Sequence, residues 1–168
     1  AGSGHPGSSF STVELLVWLY NEELRIDPES ADDPDRDRLI FSKGHASPAL
    51  YSILARSGFF DSEELFDLRT IEGCLEGHAT ADIPGIEFTS GSLGQGLSFA
   101  IGTGLGATVS DRQYRSFVVL GDGELQEGQI WEAAMSAADR ELSDLIAVVD
   151  RNGVQNDAPV AETKAVSP

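Results

Sequence analysis

The chain has 168 residues, 40% of them hydrophobic and 18 of them glycine, and its 28 acidic side chains against 11 basic ones give a formal charge of −17. A chain of this length and composition buries one good core as a single α/β domain rather than staying disordered. The charge excludes nucleic acid as a general partner, because counterion release needs a basic surface, and no apolar run approaches the roughly 20 residues of a membrane span.

Ser11-Thr12-Val13-Glu14 has capping-box spacing ahead of Leu15, Leu16, Trp18 and Leu19, which predicts a helix over about 11–24. An acidic, proline-containing loop follows over 27–37, then a short strand at Leu39-Ile40-Phe41-Ser42. Beyond Lys43-Gly44-His45, Leu50, Ile53 and Leu54 mark a helix that Gly58 ends. Asp61 to Glu64 cap a further short helix through Leu65 and Leu68. The glycines, Pro84 and polar residues of 71–92 read as an ordered loop, since a loop this long in a compact domain usually has a function. Cys74, within it, is expected to fill a small apolar gap.

Residues 94–110 read as a glycine-rich helix with a small-residue packing face. Its Gly102-Thr103-Gly104-Leu105-Gly106 imitates a dinucleotide fingerprint, but no strand precedes it. Phe117-Val118-Val119-Leu120 and Leu145-Ile146-Ala147-Val148-Val149 flank a helical stretch, which makes a right-handed βαβ unit with parallel strands. The expected fold class is therefore α/β, a mostly parallel sheet flanked by helices. The chain opens at Ala1 without an initiator methionine and stops at Pro168 in a polar stretch, so the domain is expected to be incomplete at both ends. One cysteine excludes an internal disulfide and fits a reducing, cytoplasmic compartment.

Ligands of open α/β sheets bind just outside the carboxyl ends of the strands. The two strands of the βαβ unit run into Gly121-Asp122-Gly123 and Asp150-Arg151-Asn152. Asp122 and Asn152 can thus reach one hard cation, Mg²⁺ or Ca²⁺, that leaves room for substrate phosphates. Gly121 and Gly123 let the backbone approach a diphosphate and present N–H groups near a helix start. On so acidic a chain a bridging dication must supply most of the neutralisation, and the main-chain carbonyl of Val154 is the expected third ligand. The three histidines, His5, His45 and His78, all sit beside glycines in loops, which is best explained by convergence on one pocket in catalytic or substrate-contacting roles. A zinc site built from them lacks a His-x-x-x-His or Cys pair. Glu127 and Glu132, by themselves, read as an acidic helix start and a solvated face.

In order along the chain, Ala1-Gly2-Ser3-Gly4-His5-Pro6-Gly7, Ser42-Lys43-Gly44-His45-Ala46, Gly77-His78, Thr89-Ser90-Gly91-Ser92-Leu93-Gly94-Gln95-Gly96 and Gly121-Asp122-Gly123-Glu124-Leu125-Gln126-Glu127-Gly128 closely resemble the N-terminal, diphosphate-binding domain of transketolases. The similarity runs to about Asp157. It implies thiamine diphosphate with Mg²⁺ or Ca²⁺, and transfer of a two-carbon ketol unit from a ketose phosphate to an aldose. On that resemblance Asp122, Asn152 and the Val154 carbonyl hold the metal, while His45, Gly121, Gly123 and Glu124 belong to the diphosphate site. Gly91 and Leu93 hold the bent cofactor, and His5 and His78 face the substrate. Glu127 and Glu132 match acidic residues buried at a subunit interface. Ser92 stands where the family often has proline, and Asn156-Asp157-Ala158 replaces a more usual Asp-Gly turn.

The chain contains no counterpart of the family's pyrimidine-binding domain, so the resemblance implies a partner subunit that supplies it, in a heterotetramer of two plus two. Other readings are a non-catalytic partner subunit, or another thiamine-dependent enzyme such as a deoxysugar-phosphate synthase. The run Glu124-Leu125-Gln126-Glu127-Gly128 looks transketolase-like.

Overall fold

The computed structural model describes residue 2, residues 4–155 and residues 158–164. Ser3 of the first motif and the Asn156-Asp157 departure lie outside the described residues. Three parallel strands, β1 (Arg38–Phe41), β2 (Ser116–Gly121) and β3 (Leu145–Asp150), form one sheet in the order β1-β2-β3. Arg38 pairs with Ser116, and Ser116 in turn with Leu145. The main helices are α1 (Pro6–Phe10), α2 (Val13–Trp18), α3 (Ser47–Ser57), α4 (Gln95–Val109) and α5 (Gly128–Asp139).

Alternation along the strands sorts these helices into two layers. Leu39, Phe41, Phe117 and Val119 point to one face, where they meet Leu16 and Leu19 of the first helical segment and Leu50, Tyr51, Ile53 and Leu54 of α3. Ile40, Val118 and Leu120 point to the other, against Leu97, Ala100 and Ile101 of α4 and Ile130 and Ala133 of α5. Both faces of β1 and β2 are covered, which is why their sequences read as unbroken apolar runs. At roughly 1.5–3 kcal/mol for each fully buried large side chain, these two clusters drive the fold. The loop over 71–92 is ordered, as expected, because Leu75, Ala79, Ile83 and Ile86 are buried in the first cluster. Among the described residues no helix is long and apolar enough to cross a membrane.

Several local expectations need correction. The first helix does not run unbroken over 11–24: α1 precedes it, α2 begins at Val13, and Leu19–Glu23 widens into a π-helical turn. Ser11 makes no capping box, because its hydroxyl donates to the Ser8 carbonyl and to Asp150 across the molecule. Asp61 does cap the next element, accepting from the Glu63 N–H at 2.9 Å, but that element is a 3₁₀ helix over Ser62–Asp67. Cys74 fills no gap; it is exposed, and its thiol donates to Glu64.

In α4 the close-packing argument holds at Gly96, where a Cβ would come within 2.3 Å of Ser42 Oγ, and fails at Gly102, which faces open space. Beyond β3 the chain forms a small antiparallel hairpin, β4 (Val154–Gln155) and β5 (Ala158–Pro159), and then α6 (Val160–Thr163).

One buried carboxylate clamps the amino ends of β1 and β2. Asp37, with its side chain 0% exposed, accepts from the Arg25 N–H, the Arg115 N–H at 2.9 Å and both guanidinium groups. Burial alone raises its carboxyl, but the Arg25 and Arg115 hydrogen bonds override that and hold it at about 2, below the ordinary 3.8. The stabilisation is complete above the ordinary value and is lost as pH falls towards about 2. Asp37→Ala, which leaves two N–H groups unpaired and removes the acceptor that two arginines share, is expected to lower unfolding free energy by about 3 kcal/mol in urea titrations at pH 7. The gap to wild type should narrow as the titration is repeated at pH values falling towards about 2.

Candidate functional site

The carboxyl ends of all three strands open into one cavity of about 720 Å³. Its wall contains His5, His45, His78, Gly91, Leu93, Gly121, Asp122, Gly123, Glu124, Glu127, Asn152 and Val154. Glu132 is not part of it, lying instead on the exposed face of α5.

Asp122 is 7% exposed and is held from two sides: its Oδ1 accepts from the Gly123 N–H at 2.9 Å and its Oδ2 from the Gly153 N–H at 2.8 Å. The Asp122 N–H continues the β2–β3 ladder by donating to the Asp150 carbonyl at 3.2 Å. Asn152 Oδ1 accepts from the Val154 N–H at 2.9 Å. Each of these oxygens keeps a further lone pair. Asp122, Asn152 and Val154 all line the cavity, and a carboxylate, a carboxamide and a main-chain carbonyl are donors of the kind Mg²⁺ and Ca²⁺ take. Among the described residues no group of three or more His, Cys, Asp or Glu side chains is arranged to hold a metal.

The glycine-flanked loop does not open directly onto a helix. A 3₁₀ turn over Glu124–Gln126 intervenes, and α5 begins only at Gly128. The Gly121 N–H donates to Glu124 and the Gly123 N–H to Asp122, so both are satisfied within the protein. Gly123 is small for a different reason: a Cβ there would meet Gln155 Oε1 at 2.8 Å.

Glu124, 2% exposed, ties three motifs together. Its carboxylate accepts from Ser42 Oγ at the end of β1, from the Gly94 N–H at 2.7 Å, and from the Gly121 N–H at 3.0 Å.

The histidines reach the cavity from separate anchors. His5 stands at the start of α1, its ring edge-on to His45 with centroids 5.4 Å apart. His45 Nε2 shares a hydrogen bond of 2.8 Å with the Ser8 hydroxyl. The His78 loop hangs from α3: buried Tyr51 donates to the Glu76 and His78 carbonyls, and Ser47 to the Gly77 carbonyl at 2.8 Å. Burial, followed by the charges of Lys43, His5 and His78, pulls His45 down to about 4, with Asp150 opposing. His45 is therefore a neutral imidazole at pH 7. Sequence reasoning missed the buried ion pair at this wall, Lys43, which lines the cavity, with Asp150, which Ser11 joins at 2.6 Å. Lys43 sits inside a motif already singled out, but nothing in its spacing reveals the partner.

The family model described as "Transketolase, thiamine diphosphate binding domain" matches residues 1–166, and the chain belongs to that family. It is 44% identical over 99% of its length to the 6-deoxy-6-sulfo-D-fructose transketolase subunit of a Clostridium species. To a subunit of the apulose-4-phosphate transketolase of Phocaeicola vulgatus it is 39% identical over 92% of its length. It spans 61% and 55% of those two proteins. Transketolase from Leishmania mexicana superposes with a TM-score of 0.88 at 30% identity, over 96% of this chain and 26% of that one.

Glu124→Gln turns an acceptor into a donor facing N–H groups, and it is expected to cost at least about 3 kcal/mol in urea unfolding. Because His45 stays neutral down to about 4 while the unfolded chain takes up a proton near 6.5, stability should fall as pH drops between those values. After allowance for solvent screening the loss is about 2 kcal/mol. Thermal melts at pH 7 and pH 4.5 should show a larger drop for wild type than for His45→Gln.

Proposed function

We propose that this chain is the diphosphate-binding subunit of a split transketolase. With a pyrimidine-binding partner it transfers a two-carbon ketol unit from a ketose phosphate, or a ketose with a similar distal anion, to an aldose. The single observation that carries the reading is the convergence of His5, His45 and His78 with Asp122, Asn152 and Val154 around one cavity. The split is supported by the two relatives whose names call them transketolase subunits. On this reading the described chain is one diphosphate-binding domain of a cytoplasmic heterotetramer.

Asp122, Asn152 and the Val154 carbonyl would hold Mg²⁺ or Ca²⁺, and the metal would hold the diphosphate of thiamine diphosphate. When bound, that cofactor would supply an electron sink for the negative charge left on the ketose carbonyl carbon itself when the bond to the neighbouring carbon breaks. His45, Gly121 and Gly123 line the diphosphate end, and Glu124 fixes the loops that carry it. Gly91 and Leu93 form the wall for the body of the cofactor, with the Leu93 carbonyl pinned by Gln129 Nε2 at 3.0 Å. His5 and His78, both exposed to the cavity mouth, orient the sugar hydroxyls and exchange protons with the reacting oxygen. Exposed Glu127 and Glu132 face the partner.

Ketol transfer by the chain mixed with a pyrimidine-binding subunit is the test, with ketose phosphate as donor and product analysis against pyruvate feeding. Activity is expected only in the mixture, and robust transfer by the 168-residue chain alone would refute the split. His5→Ala or His78→Ala should lower kcat/KM by about 10²–10⁴-fold. Asp122→Ala should weaken cofactor binding on the order of 100-fold or more, since even groups that only support a metal ligand are worth 10–100-fold.

A further inference from the structure

At the cavity wall, of which Lys43 is itself part, Asp150 Oδ2 is the meeting point of donors from three parts of the chain. Lys43 Nζ forms an ion pair with it, Ser11 Oγ donates to it at 2.6 Å, and Asn152 Nδ2 approaches at 3.5 Å. Asn152 Nδ2 also lies 3.4 Å from Ser11 Oγ. The Lys43 and Asp150 side chains are 1% and 9% exposed. Lys43 Nζ further reaches the Ser8 carbonyl at 3.4 Å. A buried ion pair contributes little to stability, because the desolvation of both charges offsets their attraction. Its presence at this position calls for another role.

We propose that Lys43, Asp150 and Ser11 form a positioning device that fixes which end of the Asn152 carboxamide faces the metal. The inference rests on the reading of Asn152 as a metal ligand. Asn152 is exposed, and a carboxamide on an exposed loop has two orientations of similar energy, of which only one offers its oxygen. An ionised carboxylate only accepts, so Asp150 can be approached only by the Nδ2 end. On the opposite side the Val154 N–H only donates, and it takes Oδ1 at 2.9 Å. Both neighbours select the same orientation. Lys43 pins Asp150 from its buried side and neutralises it, which leaves the carboxylate's remaining lone pairs facing Ser11 and Asn152. The long 3.4 and 3.5 Å contacts give direction more than energy.

The test measures Mn²⁺, a hard stand-in for Mg²⁺, binding to the full-length protein in the assembly it purifies in, with thiamine diphosphate present, by loss of the free aquo-ion signal. The double variant Lys43→Met with Asp150→Leu removes both buried charges and is expected to melt within a few degrees of wild type. Its Mn²⁺ dissociation constant should rise 10–100-fold, as for other groups that orient a metal ligand. A folded double variant with wild-type affinity overturns the inference, since a purely structural pair would leave affinity intact. Should the double variant not fold, Ser11→Ala decides: a rise of about 3-fold supports the device and an unchanged constant refutes it. Absence of any thiamine-diphosphate-dependent Mn²⁺ binding by wild type would instead bring down the reading of the site itself, and the inference with it.

Discussion

The geometry of the cavity depends on one buried carboxylate. Glu124 sits three residues past the end of β2 and accepts from a side chain at the tip of β1, from the residue that opens α4, and from the last residue of its own strand. No helix–sheet contact could align these loops as tightly, because apolar packing is non-directional whereas each of these donors has one narrow approach. Without that acceptor, Gly94 and Gly121 would present unpaired N–H groups in a region closed to water. Asp37 does comparable work at the opposite end of the strands, so β1 and β2 are fastened at both ends by acidic side chains.

This placement bears on how so acidic a chain could hold a polyanion. Asp37 is committed to arginines, Asp150 to a lysine, Glu124 to N–H and hydroxyl donors, and Asp122 to two N–H groups. At the cavity, Asp122, Glu124 and Asp150 are thus held in directed hydrogen bonds, while Glu127 is exposed. The neutral imidazole of His45 adds no cation of its own at pH 7. Lys43, also in the cavity lining, is committed to Asp150.

Much of this was legible in the chain. The strands announced themselves as apolar runs because both their faces are buried, and the glycine-flanked aspartate announced a strand tip. What stayed hidden were relations between distant residues. Ser11 has the spacing of a helix cap, yet its hydroxyl is drawn to Asp150, because a buried charged acceptor outweighs a local N–H. Glu124 read as one member of the diphosphate loop, and its role as a tie is visible only once Ser42 and Gly94 are beside it. The π-helical turn after Trp18 and the hairpin from Val154 carry no period that a pattern could detect at such lengths.

The bond between Ser42 and Glu124 spans 82 residues of chain, and that from Ser11 to Asp150 spans 139. Contacts of such high sequence separation form late, since the entropy of closing the intervening loop must be met first. During synthesis the helices of the amino-terminal half can collapse on one another, but the pocket has no floor until the third strand has left the ribosome. Nascent intermediates therefore expose the unpaired side of the central strand until β3 emerges and completes the cavity.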